Sequence, residues 1–355
     1  MNPLTHDVLA RIAVGLEPPS ETWRARARER LDTLTKPLGS LGRLEDLAAQ
    51  IVAIRQDAFA EPLRKAVYIF AADHGVTAEG VSAYPREVTH QMVLNFLAEG
   101  AAINVLAHLH QVALRVVDVG VDAVLPDHPA LLSHKIARGS SNMLHGPAMS
   151  DEELARAFAV GELIAARAAS AGQNMIAIGE MGIGNTTSAS AITCALTGAA
   201  AAIATGRGTG IQAAAHQHKI AVVDAVLRLH SSRNPLEVLR CMGGLEIAAM
   251  TAAVIAAARR ELIVVIDGFI STAAAALAAA LAPHIRGYLI AGHRSHEPGH
   301  ALLLKHLDLA PVLALDMRLG EGTGAVLAMP VLESALALYT QMATFASAGV
   351  SEETR

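Results

Sequence analysis

Residues 174–192 read NMIAIGEMGIGNTTSASAI. An apolar run (174–178) stops at a glycine-rich loop holding Gly182 and Gly184, and Asn185, Thr186 and Thr187 then open an apolar helix. Strand, loop and helix in that order form the repeating unit of a parallel sheet with crossover helices, whose buried strands read as unbroken apolar runs. Five further runs rich in Val and Ile, at 66–71, 112–117, 262–266, 287–291 and 311–315, alternate with longer helical patterns. The spacing predicts an α/β fold with a parallel sheet flanked by helices. The other runs also stop at short polar signatures: AADHGVTAEG, DVGVD, DGF, AGHRSHEPGH and DMRLGEGTGA. Ligands of open parallel sheets bind outside the carboxyl ends of the strands, so these signatures are expected to share one pocket.

Outward from this alternation, residues 1–60 read as helices. Ser20 precedes a stretch with Trp23, Ala27, Leu31 and Leu34 on one helical face, and TKPLGSLGRLE interrupts the pattern before Leu44. Residues 61–324 carry the sheet. Residues 325–355 read as one long helical pattern with Leu332, Leu336 and Tyr339 on a face, expected to pack back on the N-terminal helices. A small helical domain formed from both chain ends is therefore expected beside the sheet domain.

Hydrophobic residues make up 52% of the chain and aromatics only 3%, so the core must be built from Ala, Leu, Val and Ile. A formal net charge of −5 offers no long-range attraction to nucleic acid or to an acidic membrane surface. The alanine-rich stretches 248–258 and 273–282 are too short to span a bilayer. Two cysteines, Cys194 and Cys241, make neither a disulfide framework nor a paired metal motif. The N-terminus lacks the uninterrupted apolar core of a secretory signal. A cytoplasmic protein that engages no nucleic acid and no membrane is expected.

Several residue patterns carry chemistry, each with two readings. Gly184, Asn185, Thr186 and Thr187 form either a phosphate or carboxylate cradle at a helix start or a tight turn with its N-cap. Lys219 is either a solvated helix charge or an amine reaching an anionic ligand. Glu321, between Gly320 and Gly322, is either a general base whose pKa is raised by burial or an exposed carboxylate near a helix start. Tyr84 by stacking and Gln91 by hydrogen bonding would serve an apolar aromatic ligand, while Met92 faces either that ligand or the core. Asp73, His74, His293, His296 and His300 are residue types that ligate metals, but the histidine loop has no helical register, so no metal is assigned. No G-x-G-x-x-G follows a strand and no Gly-Lys-Ser/Thr completes a phosphate loop, which weighs against dinucleotide cofactors and ATP hydrolysis.

KPLGSLGRLE, AADHGV, GVSAYP, GEMGIGNTT, GRGTG, GGLEIAAM, DGF and RLGEGTGA occur in this order along nearly the whole chain. Together they resemble the nicotinate-nucleotide:dimethylbenzimidazole phosphoribosyltransferases of cobalamin synthesis. The resemblance implies a Rossmann-like parallel sheet, a homodimer, and no metal or organic cofactor. It implies transfer of the phosphoribosyl group from nicotinate mononucleotide to 5,6-dimethylbenzimidazole, giving α-ribazole 5′-phosphate and nicotinate. By the same resemblance Glu321 would be the general base, Gly184, Asn185, Thr186 and Thr187 would belong to the mononucleotide site, and Glu180, Lys219, Asp267 and Ser295 would line the pocket. Tyr84 and Met92 stand toward the base-binding end, where some relatives carry serine and glutamine. The alternatives are a metal-dependent phosphomonoesterase using Asp73, His74 and the loop histidines, and a noncatalytic nucleotide-binding sensor.

Overall fold

The computed structural model describes residues 3–57, 62–208 and 210–351. Three helices open the chain: α1 (Pro3–Ala13), α2 (Glu21–Thr33) and α3 (Arg43–Arg55). Strand β1 (Lys65–Ala72) is followed by α4 (Val88–Leu97) and α5 (Ala102–Leu109), then β2 (Ala113–Gly120), β3 (Leu131–Ser133) and α6 (Asp151–Ser170). Strand β4 (Met175–Met181) leads to α7 (Asn185–Thr197), α8 (Ala201–Ala204), α9 (Ala213–Leu229), α10 (Pro235–Met242) and α11 (Leu245–Ala258). Strand β5 (Ile263–Ile266) precedes α12 (Phe269–Leu281), and β6 (Leu289–Ala291) precedes α13 (Pro298–Leu307), α14 (Thr323–Gln341) and α15 (Phe345–Ala348).

The six strands pair in the order β3-β2-β1-β4-β5-β6, every pair parallel. This is a Rossmann-like arrangement, with the direction of strand order reversing between β1 and β4. Loops leaving those two strands diverge there and open a crevice at the carboxyl edge. The central strands are mostly apolar because both of their faces are covered: β4 and β5 are buried from Met175 to Glu180 and from Ile263 to Ile266.

Five of the six expected strands form, close to their expected limits. The sixth, 311–315, does not. Pro311 has no N–H, and the run is half-buried or exposed, so no covered face holds it in the sheet. It meets the chain beyond β6 through an isolated bridge between His293 and Leu313. The sixth strand is instead β3, a three-residue edge strand on β2, too short to leave a periodic pattern.

Alanine richness has a structural counterpart in α11, every residue of which is buried from Leu245 to Ala258. A helix apolar all round belongs inside a protein, and α11 lies against α6, α12 and four strands. The two chain ends meet as the apolar stripes require. Helix α2 starts at Ser20, whose hydroxyl accepts the N–H of Trp23, and packs on α3; α14 lies against both, burying Leu332, Leu336 and Tyr339. The guanidinium of Arg30 donates to the carbonyl of Tyr339 at 2.9 Å, and Leu34 bridges Thr344. The C-terminal pattern is two helices, not one: α14 ends at Gln341 and α15 follows. Helix α1 packs instead against α6 and α11. The expected boundary at residues 60 and 61 lies outside the described residues.

Candidate active site

A cavity of about 370 Å³ opens at the carboxyl edge of the sheet. Tyr84, Val88 and Met92 line it from the β1–α4 segment, and Glu180, Gly182, Ile183, Asn185 and Thr186 from the end of β4 and the start of α7. Gly268 and Phe269 follow β5, His293, Ser295 and Glu297 follow β6, and Arg318 to Glu321 precede α14. Four of the polar signatures thus converge: strand polarity brings those after β4, β5 and β6 to this edge, and the fourth, DMRLGEGTGA, joins them from a run that forms no strand.

Glu321 is 5% exposed. The reading of an exposed carboxylate is therefore removed. Its backbone is left-handed, with φ of 63°, a conformation that costs a side-chain-bearing residue about 1–3 kcal/mol and recurs at functional sites. Two contacts hold it there. Asp267, just past β5, accepts the N–H of Ala325 at 3.0 Å and of Gly322 at 3.3 Å, pinning the start of α14. On the other side the Glu321 carbonyl lies so close to Gly179 in β4 that a Cβ at 179 would come within 2.6 Å of it. Burial pushes the Glu321 carboxyl up to about 7; the amide of Ile103 opposes this and the charge of Asp267 adds to it.

Glu180 is raised further, to about 8, chiefly by burial, with Asn185 opposing and Asp267, Glu246 and Glu321 adding to the rise. Asn185 donates its side-chain amide to Glu180. At neutral pH this leaves Glu180 largely a neutral acid beside a carboxylate poised near its midpoint.

The segment before α7 is a tight turn leading into the helix, with glycine and not Asn or Thr as its cap. Gly184 is the N-cap residue, and Asn185 and Thr187 do not cap the helix; their N–H groups bond the carbonyls of Gly182 and Gly184. The polar lining here comes from side chains. Thr186 presents its hydroxyl, which accepts a hydrogen bond from Lys219 Nζ at 2.7 Å. Lys219 is 1% exposed, so the solvated-charge reading fails. Burial lowers its pKa to about 8, opposed by the charge of Glu297. Thr187 is wholly buried behind the turn, and neither it, Gly184, Lys219 nor Asp267 forms part of the wall itself.

At the other end of the cavity Tyr84 sits at the rim, 54% exposed, and Met92 is half-buried, touching both core and cavity. Gln91 departs from expectation: it is exposed on α4 and outside the wall, because Met92 occupies the inward position one residue on. Ser295 lines the cavity as expected. Phe269, Glu297 and Arg318 also line it and were not singled out from sequence, and His293 lines it although its residue type suggested only a metal. The signal was available, since all four lie within the polar signatures that follow the apolar runs.

The metal-type residues do not converge. His74 bonds Glu246 at 2.6 Å and Ser188 at 3.2 Å, and Asp73 takes the N–H of Asp122 at 2.7 Å and faces Arg86 at 3.3 Å. His296 is exposed, and both ring nitrogens of His300 are hydrogen-bonded. Among the described residues no group of three or more His, Cys, Asp or Glu side chains is arranged to hold a metal ion.

A family model described as a phosphoribosyltransferase, DBI_PRT, matches residues 16–350. The nicotinate-nucleotide–dimethylbenzimidazole phosphoribosyltransferase of Chloroflexus aggregans is 53% identical over 92% of this chain and 93% of its own length. Its namesake from Thermus thermophilus is 50% identical over 92% of this chain and 98% of its own length. The crystal structure of CobT from Thermus thermophilus superposes with a TM-score of 0.90 at 49% identity, covering 94% of this chain and 100% of that one. The chain belongs to the nicotinate-nucleotide–dimethylbenzimidazole phosphoribosyltransferase family.

Proposed function

We propose that this cavity transfers the 5-phosphoribosyl group of nicotinate mononucleotide to 5,6-dimethylbenzimidazole, giving α-ribazole 5′-phosphate and nicotinate in the nucleotide-loop assembly of cobalamin. Nicotinate bound to ribose is a pyridinium. Breaking its glycosidic bond returns the electron pair to the ring and neutralises it, so the leaving group needs no proton. An azole nitrogen of the benzimidazole attacks the anomeric carbon from the opposite face, inverting β to α. The proton on the other ring nitrogen passes to Glu321. Holding two rings on opposite faces of one sugar contributes about 7–11 kcal/mol in favourable cases.

The observation that carries this reading is Glu321, a buried carboxylate with a pKa of about 7, lining the same cavity as Asn185 and Thr186. Its partners divide by chemistry. Thr186 and Asn185, with Lys219 behind them, suit the phosphate end, and Tyr84, Val88, Met92 and Phe269 suit an apolar planar base. In the same reading α2, α3 and α14 form the small helical domain, and the enzyme is a cytoplasmic homodimer.

Purified protein given nicotinate mononucleotide and 5,6-dimethylbenzimidazole should release nicotinate and form a product with the mass of α-ribazole 5′-phosphate. Release of inorganic phosphate instead would favour a phosphomonoesterase, and binding without either product a sensor. Light scattering tests the dimer.

A further inference from the structure

The unassigned polar groups around the cavity include one buried hydrogen-bond chain whose every proton can be placed. His300, 0% exposed in α13, sits behind the wall of the cavity and takes no part in the chemistry described above. The backbone N–H of Ser295 lies 2.8 Å from its Nδ1. An N–H can only donate, so Nδ1 is the bare nitrogen. Burial, with His293 alongside, lowers the pKa of this ring to about 3, so the imidazole is neutral and carries its single proton on Nε2. Nε2 lies 3.0 Å from Thr272 Oγ1. The Thr272 hydroxyl donates to the carbonyl of Gly268 at 2.7 Å, so its oxygen accepts from Nε2–H. The chain runs one way only: Ser295 N–H to His300, to Thr272, to Gly268 C=O.

Both ends of that chain are cavity wall, Gly268 from the loop after β5 and Ser295 from the loop after β6. The Ser295 hydroxyl oxygen accepts the N–H of Glu297 at 3.3 Å. Its own hydrogen is then free to point into the cavity as a donor. We propose that His300 is a positioning residue, which fixes the loop after β6 against the loop after β5 and so places the Ser295 hydroxyl against the bound phosphoribosyl donor. The proposal rests on the transferase reading for its substrate.

A double-mutant cycle tests it. His300→Leu keeps apolar bulk and removes both hydrogen bonds; kcat/KM for nicotinate mononucleotide should fall about 10–100-fold, the scale of a small misplacement of reacting groups. His300→Asn restores an acceptor near Nδ1 and should recover part of the loss. In a Ser295→Ala background His300→Leu should cost almost nothing more. Losses that multiply, equal failure of the Asn and Leu variants, or a Leu variant with wild-type turnover would each overturn the proposal. Should His300→Leu fail to fold, Thr272→Val cuts the far end of the same chain, and its loss should likewise vanish in the Ser295→Ala background. If the wild type released no nicotinate, the transferase reading would fall, and the same cycle measured as the calorimetric Kd for nicotinate mononucleotide would still decide the role of His300.

Discussion

Lys219 Nζ donates to Thr186 Oγ1 across 2.7 Å, joining α9 to the first turn of α7 at the cavity wall. The cation is buried, so its compensation comes from this hydroxyl, from the more distant charge of Glu297, and from any anion the cavity takes up.

Removing that charge should weaken the nucleotide and spare the base. For Lys219→Met we expect the KM for nicotinate mononucleotide to rise about 10–100-fold, the worth of a charge-assisted hydrogen bond, while the KM for 5,6-dimethylbenzimidazole stays within about twofold. The pKa adds an internal check. Below about 8 the amine is an ammonium, and above it is neutral, so the wild-type nucleotide KM should climb as pH rises through about 8 and the variant should not follow. Steady-state kinetics between about pH 7 and 9, bracketing that midpoint, measure both.

Glu321 must be ionised to accept a proton, and burial has raised its pKa to about 7. Turnover should therefore increase as pH rises through about 7. Glu321→Gln keeps the shape and cannot take the proton; kcat should drop by about two to four orders of magnitude with the circular dichroism spectrum unchanged. Wild-type kcat in that variant would remove Glu321 from the mechanism.

Glu180 leads to a stability prediction of definite sign. Its folded pKa, about 8, lies above the ordinary 4.5, so the folded state holds the proton more tightly than the unfolded chain does. Its contribution is fully present below about 4.5 and is lost as pH rises through about 8. Glu180→Gln mimics the neutral acid and can still accept from Asn185. The wild type should therefore lose Tm relative to this variant across that window, and thermal melts at about pH 5, 6.5 and 8 measure the gap. A gap that does not change with pH would mean Glu180 is ionised throughout.

Base choice should respond to Met92. Its side chain is half-buried against the cavity beside Tyr84 and Val88, and apolar contacts of this size are worth about 1–3 kcal/mol in discrimination. Met92→Ala should raise the KM for 5,6-dimethylbenzimidazole about 10-fold and leave that for nicotinate mononucleotide unchanged. Competition between benzimidazoles with and without the methyl groups should narrow in the variant.

Much of this protein was legible before any coordinates. Parallel strands buried on both faces are unbroken apolar runs, so 66–71, 174–178 and 262–266 announced themselves, and their polarity put the following signatures on one edge. Run 311–315 misled because apolar composition alone does not report whether anything covers it. Edge strand 131–133 was silent because three residues show no period. Between them these two runs account for the differences in the sheet.

By itself the sequence determined the α/β alternation, the helical chain ends, the family motifs and the residue types available for chemistry, since these follow from local periodicity and composition. Only the tertiary structure decided which carboxylates and amines are buried. An isolated Gly-Glu-Gly reads equally well as a surface loop, and a lysine on an amphipathic helix as a solvated charge. Glu321 and Lys219 owe their shifted pKa values to strands and helices far away in the chain, and desolvation is a property of those neighbours, which no local window contains.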